Sequence, residues 1–354
     1  MDSFCMIPTT KISMISVDLS IIIVNWNSKD YLQNCIASIL ANTIGIGYEI
    51  IVVDSASFDG CAEMLRDTYP QVHFIQSERN IGFAGANNIG SQHAHGDVLL
   101  FLNPDTEVQA NAIQHLYFSL CKLPQAGIVG CRLLNSDRSL QTSCVMPLPT
   151  ILNQVLNTEI LQRAFPNYRL WMSAAKFESG VSPAPVEAVS GACMMVKRKV
   201  FDRVLGFSTD YFMYAEDLDL CYKTRAAGFI NYYIVEAEII HHGGGSTRHG
   251  RSRLSEIMIP ESIRRLLIKT HSNFYSLIYR WALTGSAIIR LFLLGFSFPI
   301  GLIKNKGSQW NMAFSKWFVI LRWGIGLEQW VQKLGQPKEI TAGLNVGKDN
   351  QCAG

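Results

Sequence analysis

Three short apolar runs, each ending on polar residues, constrain this chain more than any other feature. They are LSIIIVNWN (Leu19–Asn27), EIIVVD (Glu49–Asp54) and DVLLFLNPD (Asp97–Asp105). VHFIQSE is a weaker fourth run, and segments with helical spacing follow: SKDYLQNCIASILA, CAEMLRDTY and a stretch from about Asn111 to Leu120. Continuous apolar runs fit strands buried on both faces, and alternation with helices predicts a parallel sheet covered on both sides. Ligands bind such sheets beyond the carboxyl ends of the strands. Asn25, Asp54, Asn103 and Asp105 all fall there.

The turn after the first strand, NWNSKD, has no glycine, which excludes a dinucleotide fingerprint, and no GxxxxGK[ST] phosphate loop occurs anywhere. A nucleotidyltransferase would carry a glycine-rich basic loop at this same turn. From Gly127 the pattern becomes irregular, with a proline-rich span near residues 147–185. That region suits a mixed-sheet acceptor half, with a helix starting near Glu216. Nine cysteines lack any CxxC pair, as expected for small core residues in a reducing compartment. The first residues contain no continuous apolar segment, so no secretory signal is expected and the catalytic body is placed in the cytoplasm.

Charge divides the chain. Residues 1–250 hold 17 Lys and Arg against 23 Asp and Glu, whereas residues 251–333 hold 12 against 3. The second stretch also contains five of the seven tryptophans and the run Ala282–Ile303, which has one charge, Arg290. The run is long enough to span a bilayer. A central Arg costs about 2.5 kcal/mol or more there, however, and interleaved Trp, Lys and Arg favour the headgroup layer. Attachment to an anionic membrane surface is the expectation, over a true span or a buried helical subdomain. The expected organisation is a leader (1–17), an α/β body (18–250), a basic helical membrane-associated region (251–333) and a tail (334–354).

Polar and acidic groups at the strand ends can hold a nucleotide, bind a hard cation or take a proton from a hydroxyl. Asp54, at a strand end, can accept hydrogen bonds from a pyrimidine or ribose, or merely cap a helix. NIGFAGANNIG (Asn80–Gly90) can offer backbone N–H groups to phosphate at a helix entry. In LFLNPDTEV, Pro104 ends strand pairing and leaves Asp105 where it can bind a hard cation. FMYAEDLDLC (Phe212–Cys221) sets Glu216, Asp217 and Asp219 among aromatic residues. Such acidic groups favour a helix dipole, but their apolar setting is costly unless one is functional. In IIHHGGGST, one imidazole of His241 and His242 can complete a metal site.

Taken in order, SIIIVNWN, IIVVDSASFDG, NIGFAGANNIG, LFLNPDTEV, VSGACMMVKRKVF, YFMYAEDLDLC and IIHHGGGST resemble the family 2 glycosyltransferases of the GT-A fold, especially a rhamnosyltransferase-like branch. The resemblance covers about residues 18–250. It implies a mixed sheet covered by helices, and a nucleotide held by Asn25, Asp54, Asn80, Gly82, Asn87 and Asn103. It further implies Mg²⁺ or Mn²⁺ at Asp105 with His241 nearby, Asp217 as general base, and acceptor or diphosphate contacts from Glu216 and Lys223. Ser55, Ser208-Thr209 and Lys223 depart from the family pattern, where Asn, Asp-Glu and Arg are usual. The activity so implied is transfer of one sugar with inversion, with dTDP-rhamnose the favoured donor and a lipid-linked or glycan acceptor at the cytoplasmic face of the membrane. The alternative is a non-catalytic nucleotide-binding subunit of a polysaccharide assembly complex. No nucleic-acid partner is expected.

Overall fold

The computed structural model describes residues 17–156, 161, 181–243, 253–303 and 307–333. The leader before residue 17, the tail, Lys304 and Lys306, and the glycines and Ser-Thr that follow Gly243 lie outside the described residues. The three strongest apolar runs form β1 (Leu19–Asn25), β2 (Tyr48–Asp54) and β4 (Val98–Leu102), and the weaker run forms β3 (His73–Gln76). Every residue of β1 and β4 is buried, as continuous apolar runs require. Between them lie α1 (Lys29–Asn42), α2 (Cys61–Thr68) and α3 (Gly82–His93).

The second half adds β5 (Thr106–Val108), α4 (Ala112–Lys122), β6 (Ala126–Leu134), the short pair β7 (Val145–Met146) and β9 (Ala188–Val189), α5 (Ile151–Leu156), β8 (Ala184–Val186) and β10 (Cys193–Lys197). Then come α6 (Arg198–Arg203), α7 (Glu216–Ala226) and β11 (Ile230–His241). The main sheet runs β3-β2-β1-β4-β10-β6-β11-β5, with β8 also on β11. β3, β2, β1 and β4 are parallel, whereas β10 runs antiparallel to both β4 and β6, so the sheet is mixed. Because the chain proceeds from β1 to β2 and β3, then returns to the other side of β1 as β4, the sheet has a switch point between β1 and β4. The crevice outside their carboxyl ends is where ligands settle in such folds.

Among the described residues after β11 come α8 (Arg253–Thr270), α9 (Asn273–Ile303), α10 (Gly307–Gly324) and the short α11 (Trp330–Lys333). They do not form a separate core. Ile257, Met258, Leu266, Leu267, Tyr279, Leu283, Ala287, Ile320 and Trp323 belong to the same continuous apolar cluster as the sheet. Helix α9 is longer than the apolar run that announced it, and both its arginines face the protein. Arg280 donates to the carbonyls of Gly324 (2.9 Å) and Trp323 (3.1 Å), while Arg290 donates to Val155 O (2.9 Å) and lies 4.1 Å from the Trp317 ring centre. Its opposite face exposes Phe274, Leu277, Ile278, Trp281, Ile288, Ile289, Phe292, Leu293 and Phe296, a stripe at helical spacing. The stretch Asn273–Phe296 has a mean hydropathy of 1.4 and is long enough to cross a bilayer, yet 28% of it is buried in the protein.

Candidate active site

The carboxyl ends of β1, β2 and β3 come together in register. Asn25 stands opposite Asp54, and Asp54 opposite Gln76. Asp54 is fully buried and accepts from Asn25 Nδ2 (2.7 Å), Gln76 Nε2 (2.7 Å), the Ser57 amide (3.0 Å) and the Ser57 hydroxyl. Burial opposes its ionisation, but the bonds from Ser57, Gln76 and Asn25 outweigh that cost and hold the carboxyl below its ordinary range. Asp59, readable from sequence only as a turn residue, accepts the amides of Lys29 (2.9 Å) and Cys61 (3.1 Å), so it ties down the first turns of α1 and α2. Asp54, Asp59 and Cys61 offer ligand atoms within 4.8 Å of one another. A cation is not needed there. Burial and then the two carboxylates push the Cys61 thiol well up, and the carboxylate oxygens already accept N–H and O–H donors. Asn25 Oδ1 is buried with no hydrogen-bond partner, an acceptor left over beside this cage.

The glycine-spaced segment closes the same edge. Asn80 Oδ1 accepts from the Gly82 amide (2.9 Å) and the Ser55 hydroxyl (3.2 Å), joining the loop after β2 to the entry of α3. Gly82 has φ +72°, and a Cβ there would stand 2.5 Å from Phe212 O. Only glycine lets the helix entry approach the loop that leads to Glu216. Asn87 turns inward to its own helix, donating to Phe83 O (3.0 Å). The neighbouring Asn88, which sequence reasoning missed, pairs at both ends with the Phe207 backbone (2.8 and 2.9 Å).

Asp105 and His241 are brought together by strand pairing, since β5 and β11 place His241 opposite Thr106 and the His242 amide donates to Asp105 O (2.9 Å). Gln141 Nε2 donates to Asn135 Oδ1 (3.0 Å) and His241 O (3.3 Å), so its Oε1 must accept from His241 Nδ1 at 2.7 Å. In the neutral imidazole this tautomer leaves the Nε2 lone pair facing Asp105 Oδ1 at 3.3 Å and Asn103 Nδ2 at 3.3 Å. The Asn103 side-chain amide can donate to that lone pair, and Asp105 and His241 lie close enough together to share a cation. Their separation is close to the ~3 Å between adjacent ligands of an octahedral Mg²⁺ at ~2.1 Å. The donor set, one carboxylate and one imidazole, suits Mn²⁺ and similar ions. His242 is held elsewhere, between Glu107 (2.9 Å) and Ser136 (2.8 Å).

Asp217 is the second residue of α7, a helix that directly follows two residues with left-handed backbone, Tyr214 (φ +71°) and Ala215 (φ +67°). Side-chain-bearing residues adopt this conformation only where the surroundings enforce it, and such residues cluster at functional sites. Its Oδ2 accepts the Gly191 amide (2.9 Å), and the next residue's carbonyl, Ala192 O, accepts the Asn103 amide (3.0 Å). One backbone turn therefore holds both Asp217 and the Asn103-Pro104-Asp105 motif. Burial raises the Asp217 carboxyl above its ordinary value despite bonds from the Gly191 and Leu218 amides. Glu216 is pushed up to about 8, first by burial and then by Asp217, and its Oε2 finds no hydrogen-bond partner among the described residues. Asp219 instead serves packing: it is 1% exposed and accepts from Ser208 and from Tyr211 Oη (3.2 Å). Lys223 turns to this same group, lying 3.7 Å from Asp219 and donating to Gly206 O and to Ser208 (3.2 Å). The departures Ser208 and Lys223 thus meet each other.

The chain is similar to proteins of known activity. It is 28% identical over 290 residues to the N-acetylglucosaminyl-diphospho-decaprenol L-rhamnosyltransferase of Mycobacterium tuberculosis, an alignment covering 78% of this chain and 92% of that protein. It is 26% identical over 258 residues to the rhamnosyltransferase WbbL of Escherichia coli, covering 70% and 92%. Among solved structures, a mannosyltransferase from Pyrobaculum calidifontis, in complex with GDP-Man and Mn²⁺, superimposes with a TM-score of 0.56 at 17% identity, covering 90% of this chain and 92% of that one. That likeness supports the GT-A fold. The profile of glycosyl transferase family 2 matches residues 20–205, the span that contains β1 to β4, the Asp54 cage and the Asn103-Pro104-Asp105 motif. The chain therefore belongs to glycosyl transferase family 2 and is a glycosyltransferase.

Proposed function

We propose that the enzyme transfers one rhamnose from dTDP-rhamnose, with inversion, to a lipid-linked glycan acceptor in cell-surface polysaccharide synthesis. The observation that carries this reading is the shared turn at Gly191-Ala192, which sets Asp217 beside the motif bearing Asp105. Asp217 takes the proton of the acceptor hydroxyl as the hydroxyl oxygen bonds to the anomeric carbon. The bond from that carbon to the diphosphate oxygen breaks, and its electron pair leaves with the nucleoside diphosphate. A single displacement inverts the centre. The raised Asp217 carboxyl is a stronger base than an ordinary aspartate. Asp105 and His241 would hold Mg²⁺ or Mn²⁺, which when bound neutralises the diphosphate. Asn25, Asp54, Asn80, Gly82 and Asn103 form the nucleotide side and Glu216 faces the acceptor or diphosphate, whereas Asn87 and Lys223, expected to make contacts there, are committed to α3 and to Asp219.

Two of the relatives are named as rhamnosyltransferases, and one of these is named for a decaprenyl diphosphate acceptor. The exposed stripe of α9 supports work at a membrane surface. Because Tyr279, Leu283 and Ala287 pack into the protein core and both arginines bind protein carbonyls, the helix suits lying on the cytoplasmic leaflet with its outer face immersed. A donor screen tests the reading, with a short-chain prenyl diphosphate N-acetylglucosamine as acceptor. Release of dTDP from dTDP-rhamnose, giving an inverted linkage, is expected. Release of only UDP or GDP from their sugars would overturn the donor assignment. Sedimentation with anionic vesicles, lost on Trp281→Glu with Phe292→Glu, tests the membrane surface; full binding by that variant would contradict it.

A further inference from the structure

The turn that aims Asp217 is strained and is not held by its own segment alone. Tyr214 and Ala215 both sit in the left-handed region immediately before α7. The loop before them is strapped from outside by one face of α8. Ser262 Oγ donates to Met213 O (3.0 Å), and Arg265 donates to Asp210 O. Lys269 Nζ lies 2.7 Å from Asp210 Oδ2, 3.5 Å from Asp219 Oδ1 and 4.8 Å from the Tyr211 ring centre. Positions 262, 265 and 269 are spaced three and four apart and so share one helical face. Of the three, only Lys269 reaches both sides of the strained turn, gripping the loop through Asp210 and α7 through Asp219.

We propose that Lys269 is a positioning residue for sugar transfer: it bridges Asp210 and Asp219 across the Tyr214-Ala215 turn and so fixes where Asp217 points. The proposal rests on Asp217 being the base. It is separable from folding, because Lys223 remains 3.7 Å from Asp219 and still compensates that buried charge when Lys269 is replaced. Catalysis is sensitive to such placement, since a shift near 1 Å costs roughly 100-fold.

The test compares full-length Lys269→Met, Lys269→Arg and Asp217→Asn. Amide hydrogen exchange without substrate is followed by turnover of dTDP-rhamnose with the short-chain prenyl diphosphate acceptor. For Lys269→Met, exchange in residues 208–217 should quicken while β1 and β2 stay protected. Its kcat should fall about 10- to 100-fold, with donor KM within about 2-fold, because the base moves and the nucleotide cage does not. Lys269→Arg should restore the protection and most of kcat. Unchanged exchange and kcat in Lys269→Met would overturn the proposal. So would exchange rising throughout the chain with no recovery by Arg, which marks a merely structural lysine. Full turnover by Asp217→Asn would instead refute the base assignment, while the exchange data, which need no substrate, would still decide whether Lys269 holds the loop.

Discussion

The two ends of the ligand crevice treat their carboxylates in opposite ways. On the proposed nucleotide side, Asp54 is surrounded by the donors of Asn25, Gln76 and Ser57, and its carboxyl is held low. On the proposed acceptor side, Asp217 receives two backbone amides, Glu216 keeps an oxygen with no hydrogen-bond partner among the described residues, and both carboxyls are held high. A saturated carboxylate is a fixture: its lone pairs are committed and its charge is permanent. A buried carboxyl short of donors binds a proton more tightly, which is what a base does in turnover. Carboxylates at two ends of one crevice therefore differ in proton affinity according to how many donors reach each group.

The largest effect that would break this comparison is in Asp217→Asn. The substitution keeps shape and cannot take a proton, so kcat should fall ~100-fold or more with donor KM within a few-fold. Near-normal turnover would move the base to another residue. Asp105→Ala comes next, with a loss of about 10- to 100-fold in metal-supported turnover and weaker donor binding. Full activity in excess EDTA would remove the cation from the account.

Asp54→Asn should act on binding and stability more than on rate. It leaves buried donors competing for one acceptor, at a cost of about 1–3 kcal/mol in unfolding free energy, with raised donor KM. A kcat loss as large as that of Asp217→Asn would erase the distinction between the two sides. A further effect concerns pH and is read in stability alone. Because the Glu216 pKa is raised from 4.5 to about 8 on folding, its contribution to stability is fully present below pH 4.5 and is lost as pH rises through about 8. Glu216→Gln should flatten that decline in melting temperature, whereas an unchanged slope would place the titration elsewhere. Asp54 works the other way, since its depressed value gives stability above pH 3.8 that is lost on acidification.

β1, β2 and β4 were legible because burial on both faces writes itself as continuous apolar runs, and their polar endings marked Asn25, Asp54 and Asn103. Asp217 was visible as a carboxylate among aromatics. Gln76 carried a weaker version of the same signal, at the polar end of a strand with only partial burial. Gly191 and Gln141 carried none, since each acts through partners 26 and 100 residues away. The C-terminal region shows the clearest limit. Its charge and apolar content pointed outward to a membrane, and every proposed catalytic residue precedes residue 251. The structure shows that α8 also packs inward, sharing the sheet's core and holding Met213 and Asp210. Cutting near Arg251 would remove a wall of the catalytic body, a dependence that only long-range contacts reveal.

The most direct test of the central contrast is a carboxyl-carbon NMR titration of protein labelled in aspartate, with Asp54→Asn and Asp217→Asn identifying the two signals. The account expects the Asp217 signal to titrate above the ordinary 3.8 and the Asp54 signal below it. An Asp217 midpoint at or below that of Asp54 would contradict the assignment of base and fixture.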